Sequence, residues 1–383
     1  MSESISVNRV DCFVFRYPLE TPVSTSFGVM NDRPMVLVRI EDKDGSFGWG
    51  EIFCNFPTVG AEHRARLVDS VLSPLITSRP FNTPEEAFDY LTEKVAVLAI
   101  QSGEPGPFAQ AISGLDIALW DMKARRASQP LWRILGGSSS DIPVYASGLN
   151  PDRPEVLARE LYTQGYRAFK VKVGFGDDLD RENLRNLRQT LDDSVQIMAD
   201  ANQAWTLDKA IESLRLLETY RLVWIEEPIR ADRPWDEWVK LKENTRIPLA
   251  AGENISGTKS FNTAIQSKAL SVLQPDIIKW GGLSKCISIA QKANRSGLTY
   301  CPHYLGGGIG LLASAHALAA VGGNGLLEID ANPNPLRSVF CGNLNKIVNG
   351  RANLGNMPGI GIEPDLSSIK RYQVNYGYKK LTV

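Results

Sequence analysis

Cysteine is scarce in this chain of 383 residues: there are five, Cys12, Cys54, Cys286, Cys301 and Cys341, with no C-x-x-C pair. An odd, scattered set argues against a disulfide framework or a zinc site and leaves buried or free thiols. Net charge is scarce too, since 42 Lys and Arg stand against 43 Asp and Glu, a formal net charge of -1 with no run of like charges. No long-range field then draws nucleic acid or an acidic lipid surface, and neither is expected as a partner. Long apolar runs are missing, for no segment approaches the roughly 18 residues that a membrane helix needs. The opening MSESISVNRVDCFVF has no basic stretch leading into an apolar core. Membrane spanning and export are not expected, and a cytoplasmic location is. A dinucleotide site lacks its signature, because neither GFGDD (174–178) nor GGGIG (306–310) forms a G-x-G-x-x-G placed between strand and helix.

What is present is a period. Eight short apolar runs begin at IPVYAS (142–147) and continue through AFKVKVG, QIMADAN, LVWIEEP, PLAAGEN, VLQPDIIK and LTYCPHY to GLLEID (325–330). Their polar ends fall at Ser147, Lys172, Asp200, Glu226, Glu253, Asp276, His303 and Glu328, spaced 25, 28, 26, 27, 23, 27 and 25 residues apart. That is the length of one βα unit. Amphipathic stretches lie between the runs, among them LSKCISIAQKANRSG (283–297), with Ser284 as an expected N-cap and Gly297 as an expected C′ residue. Eight units of buried strand and covering helix predict a closed parallel barrel over residues 138–332. Residues 1–137 read as strands and then helices, with a turn at Asp44-Gly45, which predicts an α+β capping domain. The Gly-, Pro- and Asn-rich tail, 333–383, is expected to pack back on that cap.

Barrel active sites form at the C-terminal strand ends, where this chain places ionisable groups. Lys170 and Lys172 share one face of the second strand, with Phe169, Val171 and Val173 on the other. Two lysines spaced this way ordinarily mark a solvated edge, but the apolar neighbours turn these into the barrel mouth. There they are expected to lower one another's pKa and so release a neutral base. Asp200, Glu226 and Glu253 end the next three strands, and three converging carboxylates call for a cation, with oxygen-only ligation favouring Mg²⁺. Asp276 and His303 end the sixth and seventh, a pairing that makes an acid/base group. Glu328 ends the eighth and reads equally as an intermediate's partner or a structural ion pair. His63 and His316 sit in helical patterns and read as structural.

With these residues placed, the sequence resembles the enolase superfamily, and within it the mandelate racemase subgroup. The resemblance is carried by GWGE (48–51), GLDIALWDMKARRASQPLWRILGG (114–137), FKVKVG, DANQAW, WIEEP, GEN, QPDIIKWGG, PH and PGIGIEPD (358–365). It implies a modified (β/α)7β barrel under an α+β cap, with Asp200, Glu226 and Glu253 as Mg²⁺ ligands. It implies Lys172 as the base, Lys170 near the substrate carboxylate, and His303 with Asp276 as the opposing dyad. Asn202, Lys279 and Glu328 match positions near substrate or supporting the dyad, and the resemblance also implies a homo-oligomer. The chemistry it implies is proton abstraction α to a carboxylate through a Mg²⁺-stabilised enediolate. Dehydration of an acid sugar, aldonate or aldarate, to a 2-keto-3-deoxy acid is the leading expectation. A racemase or epimerase of a 2-hydroxy acid is the alternative; a cycloisomerase or a non-catalytic carboxylate-binding protein is a weaker one. Substrate selection is expected from cap loops 25–31 and 55–60, through Phe27 and Phe56.

Overall fold

Two sheets divide the work of the chain. The structure, a computed structural model, describes residues 4–25 and 28–377. Strand β1 (Val7–Thr25) runs antiparallel to β2 (Gly28–Asp42), which pairs with β3 (Phe47–Ile52). The β2–β3 turn lies where Asp44-Gly45 places it, with Gly45 at φ 82°. Helix Pro84–Ser102 packs against helix Pro105–Arg126, which in turn covers this sheet. The first starts at Thr83, whose hydroxyl accepts from the Glu86 N–H, and stops at Gly103 in the left-handed region. The second lies directly on β3, and glycine permits it: a Cβ at Gly48 or Gly50 would stand 2.0 or 1.9 Å from the Ala118 or Gly114 carbonyl oxygen.

The other sheet is the barrel. Its strands are β4 (Asp141–Leu149), β5 (Ala168–Lys172), β6 (Gln196–Asp200), β7 (Ile225–Glu226), β8 (Leu249–Ala251), β9 (Val272–Leu273), β10 (Thr299–Tyr300) and β11 (Leu327–Asp330). They lie parallel in the order β10-β9-β8-β7-β6-β5-β4-β11, and a helix follows each of the first seven. The seam between β10 and β11 is bridged by the Tyr304 N–H donating to Glu328 Oε2 at 3.1 Å and the Leu326 N–H to Cys301 Sγ at 3.4 Å. This is the expected (β/α)7β barrel. Outward residues such as Phe169, Val171, Ile197 and Ile225 pack against the helices, while Tyr145, Met198, Trp224 and Val272 fill the interior. Tyr145 meets Trp224 edge-on at 5.6 Å, so the barrel is plugged below its mouth.

Past the barrel, β12 (Arg351–Asn353) pairs with residues 141–143 of β4, and β13 (Gln373–Val374) then joins β1 of the cap. Strand β11 pairs with β4 only at Val144–Ser147, which leaves the start of β4 open to β12. Two local expectations need correction. Ser284 is not an N-cap, because its helix runs Gly282–Arg295 and its hydroxyl is taken up by Asp116. Of the span 25–31 expected as a loop, Thr25 ends β1 and residues 28–31 belong to β2, with Val23 opposite Met30. Gly297 does take the left-handed conformation expected after the helix, at φ 84°. All five cysteines are free and buried, and no helix among the described residues is long and apolar enough to cross a membrane.

His316 has the structural role read for it. Its Nδ1 accepts from the Trp132 N–H at 3.0 Å and its Nε2 faces the Ile360 carbonyl at 3.1 Å, which ties the barrel to the tail. Burial pushes its pKa down to about 4 from 6.5, so it is neutral in the folded state. The unfolded chain takes up the proton first as pH falls. The contribution is therefore intact above pH 6.5 and is lost toward pH 4, by up to about 3 kcal/mol. The stability gap between wild type and His316→Gln, measured by denaturant unfolding, is expected to narrow from pH 7 to pH 4.5. An unchanged gap would contradict the neutral-histidine assignment. Glu51 and Asp116, both pushed up to about 7 by burial, act in the opposite direction but cancel in this difference.

Candidate active site

A cavity of about 370 Å³ opens at the C-terminal ends of the barrel strands, beneath the cap. Its size suits a small molecule. Of the residues singled out from sequence, Lys172, Asp200, Asn202, Glu253, Lys279, His303, Glu328 and Phe56 line it. Lys170, Glu226 and Asp276 do not; they are buried behind the wall. Phe27 lies outside the described residues. Val23, Met30, Arg33, Phe53 and Gln110 complete the cap's side of the cavity.

The alternation of β5 puts both lysines inside, but at different depths. Lys172 is 19% exposed and donates to Asp200 Oδ2 and Asn202 Oδ1, each at 2.7 Å. Lys170 is 1% exposed, 2.6 Å from Glu226 Oε2, 2.7 Å from Glu328 Oε1 and 3.9 Å from Asp200 Oδ2. Burial alone would draw both ammonium groups down. The carboxylates outweigh it, Glu226 and Glu328 at Lys170 and Asp200 at Lys172, and both pKa values are raised. Lys170 does lower Lys172, as the K-x-K spacing leads one to expect, but the carboxylates outweigh it. Glu328 answers in kind: burial would raise it, but Lys170 and His303 hold it down to about 2. It also accepts from Ser147 and from the Tyr304 N–H, so it forms an ion pair in the cavity floor.

On the other side of the mouth, His303 Nδ1 lies 2.7 Å from Asp276 Oδ2 and Nε2 lies 2.6 Å from Glu253 Oε2. Asp276 is itself fixed, accepting the Ile278 N–H at 2.9 Å. Burial would lower the imidazole's pKa, but Glu253, Glu328 and Asp276 hold it well above 6.5. Lys279 Nζ donates to Asn254 Oδ1 at 2.9 Å and lies 3.6 Å from Glu253 Oε2.

Two residues of the site carry no clear mark in the sequence period. Glu227 is 1% exposed, accepts from Asn254 Nδ2, and is pushed well up by burial and by neighbouring Glu253. Gln274, also 1% exposed, donates to Glu226 Oε2 at 2.6 Å. The doubled acid of Glu226-Glu227 is the available signal for the first. Glu227, Asn202 and Gln203 have φ of 39°, 44° and 64°, and strained non-glycine backbone of this kind gathers at functional sites.

Among the described residues, no three carboxylate, imidazole or thiolate groups converge on one point. Asp200, Glu226 and Glu253 are instead each turned onto a cation of the chain: Lys172, Lys170 and His303. The charges still leave room for an ion. Six carboxylates, Asp200, Glu226, Glu227, Glu253, Asp276 and Glu328, surround four basic groups, Lys170, Lys172, Lys279 and His303. Burial pushes Glu226 up to about 7 and Glu227 well above the usual carboxylate range, and with all six ionised the excess would be two negative charges, which one divalent cation would neutralise. Its ligands would be carboxylate oxygens, hard donors of the kind that hold Mg²⁺.

Comparison with known proteins agrees with this geometry. Residues 9–136 match the mandelate racemase / muconate lactonizing enzyme N-terminal domain, and residues 155–368 match the enolase C-terminal domain-like family. Arabinonate dehydratase of Saccharolobus solfataricus is 30% identical, with 86% of this chain and 88% of that protein covered. A solved mandelate racemase/muconate lactonizing enzyme structure from Bordetella bronchiseptica is 53% identical, with TM-score 0.92 over 96% of this chain and 99% of that one. A Streptomyces coelicolor racemase with bound magnesium is 29% identical, with TM-score 0.85 over 96% of this chain and 100% of that one. Other relatives are named as cycloisomerases, epimerases and racemases. The chain is an enzyme of the enolase superfamily and belongs to its mandelate racemase/muconate lactonizing enzyme family.

Proposed function

We propose that this enzyme removes the proton α to a carboxylate with Mg²⁺ held by Asp200, Glu226 and Glu253. Its substrate is then an acid sugar, aldonate or aldarate, dehydrated to a 2-keto-3-deoxy acid. The observation that carries this reading is the placement of Lys172 and His303 on the cavity wall, at the ends of the second and seventh barrel strands, with Asp276 behind the imidazole. Two proton-transfer groups thus face one cavity from separate sides. Bound Mg²⁺ would stabilise the negative charge that develops on the substrate carboxylate.

The chain's own residues supply the remaining steps. Lys172 Nζ takes the α-proton once Asp200 no longer holds its ammonium form, and Lys170 lends positive charge from beneath. His303 gives its Nε2 proton to the β-hydroxyl as the C–O bond breaks, so that water leaves and the enol tautomerises to the keto acid. Asp276 keeps Nδ1 protonated and the ring oriented. Asn150, Gln203 and Asn332 line the same cavity with amides suited to a polyhydroxylated chain. The dehydratase of Saccharolobus supports an acid-sugar substrate.

A racemase or epimerase needs the same two groups, each serving one face of the α-carbon, and the magnesium-bound Streptomyces racemase favours that second reading. Incubation with Mg²⁺ and a panel of aldonates, aldarates and 2-hydroxy acids in D₂O separates the two. A 2-keto acid is the expected product. Deuterium at an inverted α-carbon without keto acid would establish racemisation instead, and a panel in which no α-proton exchanges would refute both.

A further inference from the structure

Glu51, the last residue of the GWGE motif, is 1% exposed and belongs to the cap, yet its carboxylate is held by the barrel. Its Oε2 accepts the Gly310 N–H at 2.8 Å, and its Oε1 accepts from the Gly307 N–H and from the Tyr304 hydroxyl at 3.1 Å. Gly307 and Gly310 open the barrel helix Gly308–Val321 that follows β10, so the carboxylate sits at the positive end of that helix. The fit is close. A Cβ on Gly306 would stand 2.6 Å from the Tyr304 hydroxyl and 2.8 Å from Glu51 Oε1, and one on Gly307 2.3 Å from Met35 Sδ and 2.9 Å from Glu51 Oε1. The loop held in this way follows β10 and carries His303 and Tyr304, three and four residues beyond the strand's end at Tyr300. Tyr304 is therefore held at both ends, its N–H by Glu328 and its hydroxyl by Glu51.

The loop after β9 is attached to the cap as well. The Phe53 N–H donates to the Ile278 carbonyl at 3.3 Å, two residues beyond Asp276. At the N-terminus of the next helix, Gly282–Arg295, buried Asp116 accepts the Ser284 N–H at 3.0 Å and Ser113 Oγ accepts the Gly282 N–H at 3.2 Å. Both members of the His303–Asp276 pair thus ride on loops that the cap fastens.

From this we infer that Glu51 is a positioning residue for His303, acting through Tyr304 and the glycine turn, so that docking of the cap sets the acid/base side of the site. The kinetic consequence rests on the proposed role of His303 as proton donor; the positional claim does not. The chain has only three histidines, which makes the test direct. In ¹⁵N-histidine-labelled full-length protein, with the His303 signal assigned by its loss in His303→Asn, Glu51→Gln and Glu51→Ala are expected to shift the His303 imidazole resonances. His63, on the cap, and His316, anchored by Trp132 and Ile360, are expected to stay in place and show that the fold persists. Asp121→Asn is the control: Asp121 accepts the Ile360 and Trp49 N–H groups, away from both loops, so it should leave His303 unmoved. A His303 signal that is unmoved in both Glu51 variants, or three signals that move together, would overturn the inference. On a substrate that turns over, Glu51→Gln is expected to lower the kcat for water elimination about 100-fold, with KM and α-proton exchange changed less than about threefold. Equal losses in exchange and elimination would count against a role specific to His303, and an active His303→Asn would place the fault in the functional reading, leaving the resonance test standing.

Discussion

His303→Asn is expected to exchange the substrate's α-proton with solvent deuterium while forming almost no 2-keto acid. The two events use different side chains in the proposed mechanism. Exchange needs Lys172, which stands on β5 and is held by Asp200 and Asn202, on the side of the cavity away from the imidazole. Elimination needs a proton at the departing hydroxyl, because hydroxide is a poor leaving group, and the imidazolium is the acid on its side of the cavity wall. General-acid assistance of this kind is worth about 10² to 10⁴-fold, and that is the expected fall in keto-acid formation. Asparagine retains a polar contact to Asp276, which would otherwise become a buried carboxylate short of a partner, so loss of fold does not mimic the result. Lys172→Ala should lose both exchange and elimination, since both begin with the proton that Lys172 removes. If His303→Asn formed keto acid within about tenfold of wild type, the acid would have to be another group. For a racemase the same variant would exchange one enantiomer with retention and fail to invert it, so a single deuterium experiment assigns the side chain under either outcome.

Much of this site is legible in the sequence because a barrel repeats. Each βα unit must cross the barrel and return, so spacing alone marks the eight strand ends, and all eight runs are strands. The alternation around Lys170 and Lys172 fixes their face, since Phe169 and Val171 can only point toward helices. Depth along the barrel axis is not legible. Lys170 and Lys172 are two residues apart and share a face, yet one is sealed under Glu226 and Glu328 and the other lines the cavity. The sign of their pKa shifts is hidden for the same reason: the sequence shows two neighbouring ammonium groups but not the carboxylates brought between them from other strands. Contacts across a large sequence separation are equally hidden. Glu51 reaches Gly310 across 259 positions, and nothing local to GWGE states that its acid caps a barrel helix. Helix ends fail on a finer scale, where Ser284 has the chemistry of a cap but gives its hydroxyl to Asp116.

Removing divalent metal with EDTA is expected to abolish turnover, by at least about 10³-fold, because a second negative charge cannot develop on a bound carboxylate without a strong counter-charge. Loss of activity alone does not locate the ion, and the charge pattern offers a sharper measurement. Asp200, Glu226 and Glu253 are turned onto Lys172, Lys170 and His303, so an arriving cation must compete with the chain's own cations. Mg²⁺ affinity should then respond with opposite sign to two substitutions only 28 positions apart, partners in one hydrogen bond. Asp200→Asn removes a ligand and should weaken binding. Lys172→Ala removes the competitor for Asp200 and should tighten it, although the protein is catalytically dead. A charge about 4 Å away at an intermediate dielectric is worth a few kcal/mol before screening, so a change of about tenfold in each direction is a conservative expectation. Calorimetric titration with Mg²⁺ reads the affinities directly, and thermal unfolding reads them independently, since a ligand at about 100 times its Kd stabilises the folded state by about 2.7 kcal/mol. Should both substitutions move the Mg²⁺ affinity in the same direction, or should neither move it, the ion is not held at Asp200 and the carboxylates at these strand ends serve only to pair the lysines.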